Sequence, residues 1–301
     1  MKKNLIFLIS VFVLFSNGFA QVKYKLIENI QYYHNMKNDN CVLDIYYPTN
    51  IENFPTIIWF HGGGLKRGSK NIADRLKNQE VAIVSANYRL FPNVSTKQVI
   101  ADAAAAVAWT FNNIEKYGGR KDLIFVSGHS AGGYLTSMIG LDKKWLNKHE
   151  IDANNIAGLI PFSGHTITHF TVREEMGITD RKKVIVDEMA PLFHIRKDAP
   201  PYIIMTGDRN LELLGRYEEN AYMMRMMKLV GHSQTSLYEF DGYGHGMAEP
   251  GNPLLIKIVK ELTKRYRVEL KTPVAKLMGT RENYRNYGKK DRCCRIPKCS
   301  R

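Results

Sequence analysis

Apolar positions follow two rhythms along this chain. Thr56 to Phe60 (TIIWF), Val81 to Val84 (VAIV), Leu123 to Val126, Ile156 to Phe162 and Tyr202 to Met205 (YIIM) are short, nearly unbroken apolar runs. Strands covered by helices on both faces have this pattern, so these runs predict the inside of a parallel sheet. Val42 to Tyr47 instead alternates Leu43, Asp44, Ile45, Tyr46, and with Lys25 to Tyr33 it predicts an antiparallel hairpin at a sheet edge. Thr235 to Phe240 is the last predicted strand. From Thr96 to Tyr117 the apolar residues Val99, Ala103, Val107, Phe111 and Ile114 recur at intervals of three and four, which predicts a long helix ended by Gly118 and Gly119. Ser69 to Gln79, Tyr217 to Val230 and Leu254 to Tyr266 are further predicted helices, the second with Met223, Met224, Met226 and Met227 as soft core filling. Strand and helix alternate throughout, so the fold class is α/β with a mostly parallel central sheet, helices on both faces and right-handed crossovers. Residues 164–190 break the rhythm, being longer, polar and aperiodic. A connection of that kind predicts a small cap over the carboxyl edge of the sheet.

Composition adds boundaries. With 301 residues, 44% hydrophobic and 24% charged, the chain can bury one full-sized core, predicted over residues 21–270. The net charge of +14 suggests nucleic acid until it is located: residues 271–301 hold ten Lys or Arg against Glu282 and Asp291, leaving +6 for everything before them. The charge therefore belongs to a basic tail, expected to be disordered, and no nucleic-acid partner is expected. Residues 1–20 carry Lys2 and Lys3, an apolar run from Leu5 to Phe15, and the small residues Gly18 and Ala20 before Gln21. That pattern predicts a secretory signal peptide cleaved after Ala20 and a secreted or periplasmic protein; the apolar run is too short for a stable membrane anchor. Export permits disulfides, but Cys41 stands far from Cys293, Cys294 and Cys299, and neither a pairing nor an oligomeric state follows.

The candidate chemistry sits at the ends of the apolar runs. Gly128-His129-Ser130-Ala131-Gly132 follows one strand and opens a helix with Tyr134, Leu135 and Met138. Strand, G-x-S-x-G, helix puts the serine on a turn so tight that its hydroxyl stands clear of the backbone, so Ser130 is the candidate nucleophile. His61-Gly62-Gly63-Gly64 leaves TIIWF with bare main-chain N–H groups, the means of building an oxyanion hole. Asp208 ends the YIIM strand, and His245, flanked by Gly244 and Gly246, follows the last one. Open parallel sheets gather such strand-end residues along one edge. A serine needs a histidine base to take its proton and an acid to fix the imidazole tautomer. His165 and His169 lie four apart but lack a third metal ligand; they are expected in the cap or pocket wall, and neither metal nor cofactor is expected. His61 is read as a brace of the glycine loop, Arg89 and Asp102 as a structural polar pair, and His129 as packing under the turn or lining the pocket.

The combination of HGGG at 61–64, Asn87-Tyr88-Arg89-Leu90, Asp102 with Trp109, GHSAGG at 128–133 and Gly244-His245-Gly246 resembles the α/β-hydrolases of the esterase/lipase group with the HGGG motif, close to hormone-sensitive-lipase-like and feruloyl or acetyl esterase-like bacterial enzymes. The resemblance covers about residues 40–267. It implies an acyl-enzyme mechanism on carboxylic esters with short or aromatic acyl groups, with carbohydrate esters among the substrates. It also implies that the oxyanion accepts N–H bonds from Gly63, Gly64 and Ala131. Peptidases and formamidases share the triad, and a non-catalytic binding protein on the same scaffold is the remaining alternative; the retained serine and histidine speak against the latter. The chain departs from the family at the acid, whose commoner positions are here Arg209, Asn210 and Leu211. Asp208 is the expected acid because it is held at the strand end, with the longer-reaching Glu212 as the alternative and Asp241 as a turn former.

Overall fold

The structure, a computed structural model, describes residues 21–36, 38–271 and 294–296. Nine strands form one sheet in the order β1-β2-β4-β3-β5-β6-β7-β8-β9. They are β1 (Tyr24–Gln31), β2 (Val42–Pro48), β3 (Phe54–Phe60), β4 (Ala82–Ala86), β5 (Gly119–His129), β6 (Gly158–Phe162), β7 (Tyr202–Gly207), β8 (Thr235–Phe240) and β9 (Cys294–Ile296). β1 and β2 pair antiparallel at one edge, β2 joins β4 antiparallel, and every pairing from β4 onward is parallel. The helices are α1 (Thr96–Asn113), α2 (Ala131–Leu141), α3 (Lys144–Asn147), α4 (Phe170–Glu175), α5 (Arg216–Leu229) and α6 (Ala248–Lys271).

The unbroken apolar runs are explained by what covers them. Successive strand side chains point to opposite faces. Ile58, Phe60, Val84, Ile124, Val126 and Ile204 join the core that includes α1, α2 and α5, whereas Ile57, Trp59, Ile83, Phe125 and Ile203 join the core that includes α6. Met223 and Met227 of α5 are fully buried in the first of these, as core filling requires.

Two expectations change. Residues 69–79 form only one 3-10 turn, Asp74–Leu76, not a helix. Side chains from the end of β4 hold this segment instead: Asn87 Oδ1 accepts from Lys70 N–H and Ser85 Oγ from Asn71 N–H, satisfying the backbone without helical bonds. The basic tail, expected to be disordered, contributes β9, which pairs parallel with Tyr238–Phe240 of β8. The predicted signal peptide, Cys293 and Cys299 lie outside the described residues. Cys41 is a buried free thiol whose Sγ lies 3.9 Å from Asp102 Oδ2. Among the described residues no helix is long and apolar enough to cross a membrane.

Candidate active site

Ser130 is the residue between β5 and α2, and its backbone has φ 57° and ψ −112°. A non-glycine residue reaches that region only when its surroundings enforce it. Here the turn is clamped from both sides: Ser130 N–H donates to Phe162 O of β6 at 2.8 Å, and Ser130 O accepts from Tyr134 N–H at 3.0 Å. The turn also passes so close to β3 that a Cβ on Gly132 would sit 2.0 Å from Phe60 O. Glycine at that position is a steric requirement.

The imidazole of His245 meets the serine, with Nε2 2.8 Å from Ser130 Oγ. Its other nitrogen lies 2.6 Å from Glu212 Oε1. A carboxylate only accepts, so Nδ1 carries the proton, and Nε2 is left with a lone pair for the serine hydroxyl. Glu212 thus stands where Asp208 was expected, and the assignment of Asp208 as the acid is corrected. The Asp208 carboxylate is occupied otherwise: it accepts from Asn210 N–H at 2.8 Å and from Gly242 N–H at 3.1 Å, tying the loop after β7 to the loop that carries His245. Glu212 N–H donates to Asp208 O at 2.8 Å, and this turn brings the longer side chain back over the imidazole.

The Glu212 side chain is nearly inaccessible and has several donors. Ser163 Oγ–H donates to Oε2 at 2.6 Å, Gly207 N–H to Oε2 at 3.1 Å and Leu213 N–H to Oε1 at 2.8 Å. Burial pushes its pKa up, but the hydrogen bonds from His245, Ser163 and Leu213 outweigh that and lower it to about 2. Neither Ser163 nor His129 stands out in the sequence as a positioning residue. Ser163 follows β6 with φ 44°. His129 Nε2–H donates to His245 O at 2.7 Å, linking the strand before the serine to the main chain of His245. Burial first, and then the proximity of His245, hold His129 down at about 4, so it serves this bond as a neutral imidazole.

The expected donor loop lies beside the serine. Gly63 and Gly64 line the same cavity as Ser130 and His245, with φ 112° and 66°, and a Cβ on Gly63 would fall 2.0 Å from Arg67 O. Ala131 is the first residue of α2, where a helix N–H has no intrahelical partner. His61 is stacked on Tyr88 with ring centroids 4.2 Å apart, and its Nδ1–H donates to Gly62 O at 2.7 Å, so it braces this loop. Arg89 binds Asp102 through Nε at 2.8 Å and Nη2 at 2.6 Å, away from the cavity.

The cavity measures about 900 Å³, and Ile167, Phe170 and Val184 of the segment 164–190 form part of its wall. His165 lies in this wall and donates through Nδ1 to Glu219 Oε1 at 2.8 Å, while His169 Nδ1 accepts from Thr171 N–H at 3.1 Å. The two histidines turn their Nδ1 atoms to different partners.

A parallel sheet with covering helices, a serine in the strand-to-helix turn and a histidine–carboxylate pair on later loops define an α/β-hydrolase. Residues 43–212 match the BD-FAE family, and the chain belongs to it. Esterase LipC of Mycobacterium tuberculosis is 24% identical over 221 residues, which cover 64% of this chain and 53% of that protein. The chain therefore spans about half the length of that relative. A truncated form of a carbohydrate esterase from gut microbiota has the same fold, with TM-score 0.66 and 17% identity over 81% of this chain and 98% of that one. Esterase B from Lactobacillus rhamnosis has TM-score 0.67 and 17% identity over 83% of this chain and 89% of its own.

Proposed function

We propose that the protein hydrolyses carboxylic esters with short or aromatic acyl groups, including esters carried on carbohydrates, through an acyl-enzyme on Ser130. The observation that carries this reading is the relay Ser130 Oγ, His245, Glu212, with contacts of 2.8 and 2.6 Å. As Ser130 Oγ attacks the ester carbonyl, its proton passes to His245 Nε2. The imidazolium so formed faces a carboxylate held ionised by its donors. The carbonyl oxygen becomes an oxyanion within reach of the N–H groups of Gly63, Gly64 and Ala131. Collapse expels the alcohol, which takes the proton from Nε2, and a water activated by the same nitrogen then releases the acid. The carbohydrate part of the proposal is supported by the likeness to the gut carbohydrate esterase, and export by the composition of residues 1–20.

The test is turnover of a panel of p-nitrophenyl esters and of acetylated and feruloylated sugars. Wild type is expected to cleave at least the short esters, and Ser130→Ala to lose at least about three decades of turnover while remaining folded. Inactivity of the wild type on the whole panel would overturn the reading. N-terminal sequencing of protein recovered from the periplasm or medium is expected to begin at Gln21.

A further inference from the structure

The cavity beside Ser130 has a charge pattern that ester hydrolysis does not need. Its wall holds Lys66, Arg67, Arg173, Arg181, Lys182 and Arg216, and no Asp or Glu. Lys66 is paired with Glu174 at 2.8 Å and Arg216 with the buried Glu219 at 3.3 Å. The other four have no ion pair among the described residues.

Arg173 is the unusual member. It is 1% exposed, on α4, and its Nε and Nη1 have no acceptor among the described residues; only Nη2 donates, to Arg181 O at 3.3 Å. A buried guanidinium without a directly paired carboxylate is costly, because its donors have lost water and gained little in return. Burial draws its pKa down, with Glu219 and Asp180 compensating only in part. Arg181 is held next to it by the ring of Phe170, with its Cζ 4.6 Å from the centroid. Phe170, Ile167 and Val184 supply an apolar surface along the same wall.

We propose that the ester taken by this site carries a carboxylate, which the Arg173–Arg181 pair recognises while Phe170 and its apolar neighbours hold the rest of the acyl or alcohol arm. A planar carboxylate matches the donor fork of a guanidinium and supplies the charge that the wall lacks. This specificity rests on the esterase reading, so the test separates the two.

Binding is measured by calorimetry on Ser130→Ala with matched pairs: mono-p-nitrophenyl adipate against p-nitrophenyl hexanoate for the acyl side, and 4-acetoxybenzoate against phenyl acetate for the alcohol side. At low salt the anionic member of at least one pair is expected to bind at least about tenfold tighter, a gap that shrinks at high salt. The pair that shows it identifies which arm bears the charge. Adding Arg173→Gln is expected to reduce the gap to about threefold or less; if that variant does not fold, Arg181→Gln at the solvent side of the same wall takes its place. Equal binding within both pairs, or a preference unchanged by Arg173→Gln and by Arg181→Gln, overturns the proposal. Hydrolysis of the neutral esters by wild type is read separately, and its absence would sink the esterase reading while the binding comparison still decides the anion.

Discussion

Glu212 holds the imidazole of His245 at 2.6 Å, while the Asp208 carboxylate accepts from the main-chain N–H groups of Asn210 and Gly242. The two acids therefore separate cleanly in an experiment. Glu212→Gln is expected to cost up to about four decades in turnover, because a neutral amide leaves the histidine tautomer unspecified. Asp208→Asn keeps the imidazole partner and is expected to retain most of the activity while lowering the melting temperature. The pH dependence has a definite sign. The Glu212 carboxyl lies at about 2 in the folded protein against 4.5 for a free side chain, so the unfolded state binds more protons between those values. The stability advantage of wild type over Glu212→Gln should be constant above about pH 4.5 and vanish as pH falls toward 2, read from melting curves of both proteins. A constant difference down to pH 2 would show that the donors around Glu212 do not act as described.

At the scale of the element, the β5–α2 turn stores strain that the surrounding strands enforce. Ser130 at φ 57° costs about 1–3 kcal/mol, a strain that a residue without Cβ would relieve. Ser130→Gly should therefore melt higher than Ser130→Ala, although both lack the hydroxyl. Gly132→Ala should fail to accumulate as folded protein, since its Cβ would overlap Phe60 O, whereas Gly246→Ala meets nothing within 4 Å and should fold normally. The pair Arg89–Asp102 belongs to this scale too, joining the loop after β4 to α1. Asp102 is fully buried, so Arg89→Ala removes the counter-charge of its carboxylate, leaving it the donors Tyr33 Oη–H, Gln98 Nε2–H and Arg89 N–H, and should destabilise by about 3 kcal/mol in denaturant titrations. The strands β1 to β8 and the main helices are legible in the sequence because each is covered on known faces; the segment 69–79 is not, because its partners are Ser85 of β4 and Asn87 just after it.

For the whole molecule, the sheet does not stop at β8. β9 adds three residues in parallel register beside Tyr238, Glu239 and Phe240, so removing residues 272–301 uncovers a row of backbone donors and acceptors at the edge of β8. Truncation is expected to lower the melting temperature by about 2–4 °C and to increase self-association, with ester turnover unchanged because the relay lies away from that edge. An unaltered melting temperature would mean that β9 adds nothing to the stability of the sheet.

Short-range chemistry is what the sequence determines by itself. An apolar run of strand length reports burial on both faces, glycines around Ser130 report a backbone that cannot admit a Cβ, and the glycine-flanked histidine reports a loop shaped for that side chain. The relations that span the sheet were decided by the tertiary structure. His129 meets the carbonyl of a residue 116 positions away, Ser163 steadies an acid 49 positions away, and Glu212 displaces Asp208 because a turn closed by main-chain bonds aims the longer side chain at the imidazole. The same holds for Arg173: as a residue type it is an ordinary surface cation, and only the tertiary packing around α4 makes it a buried charge in the cavity wall.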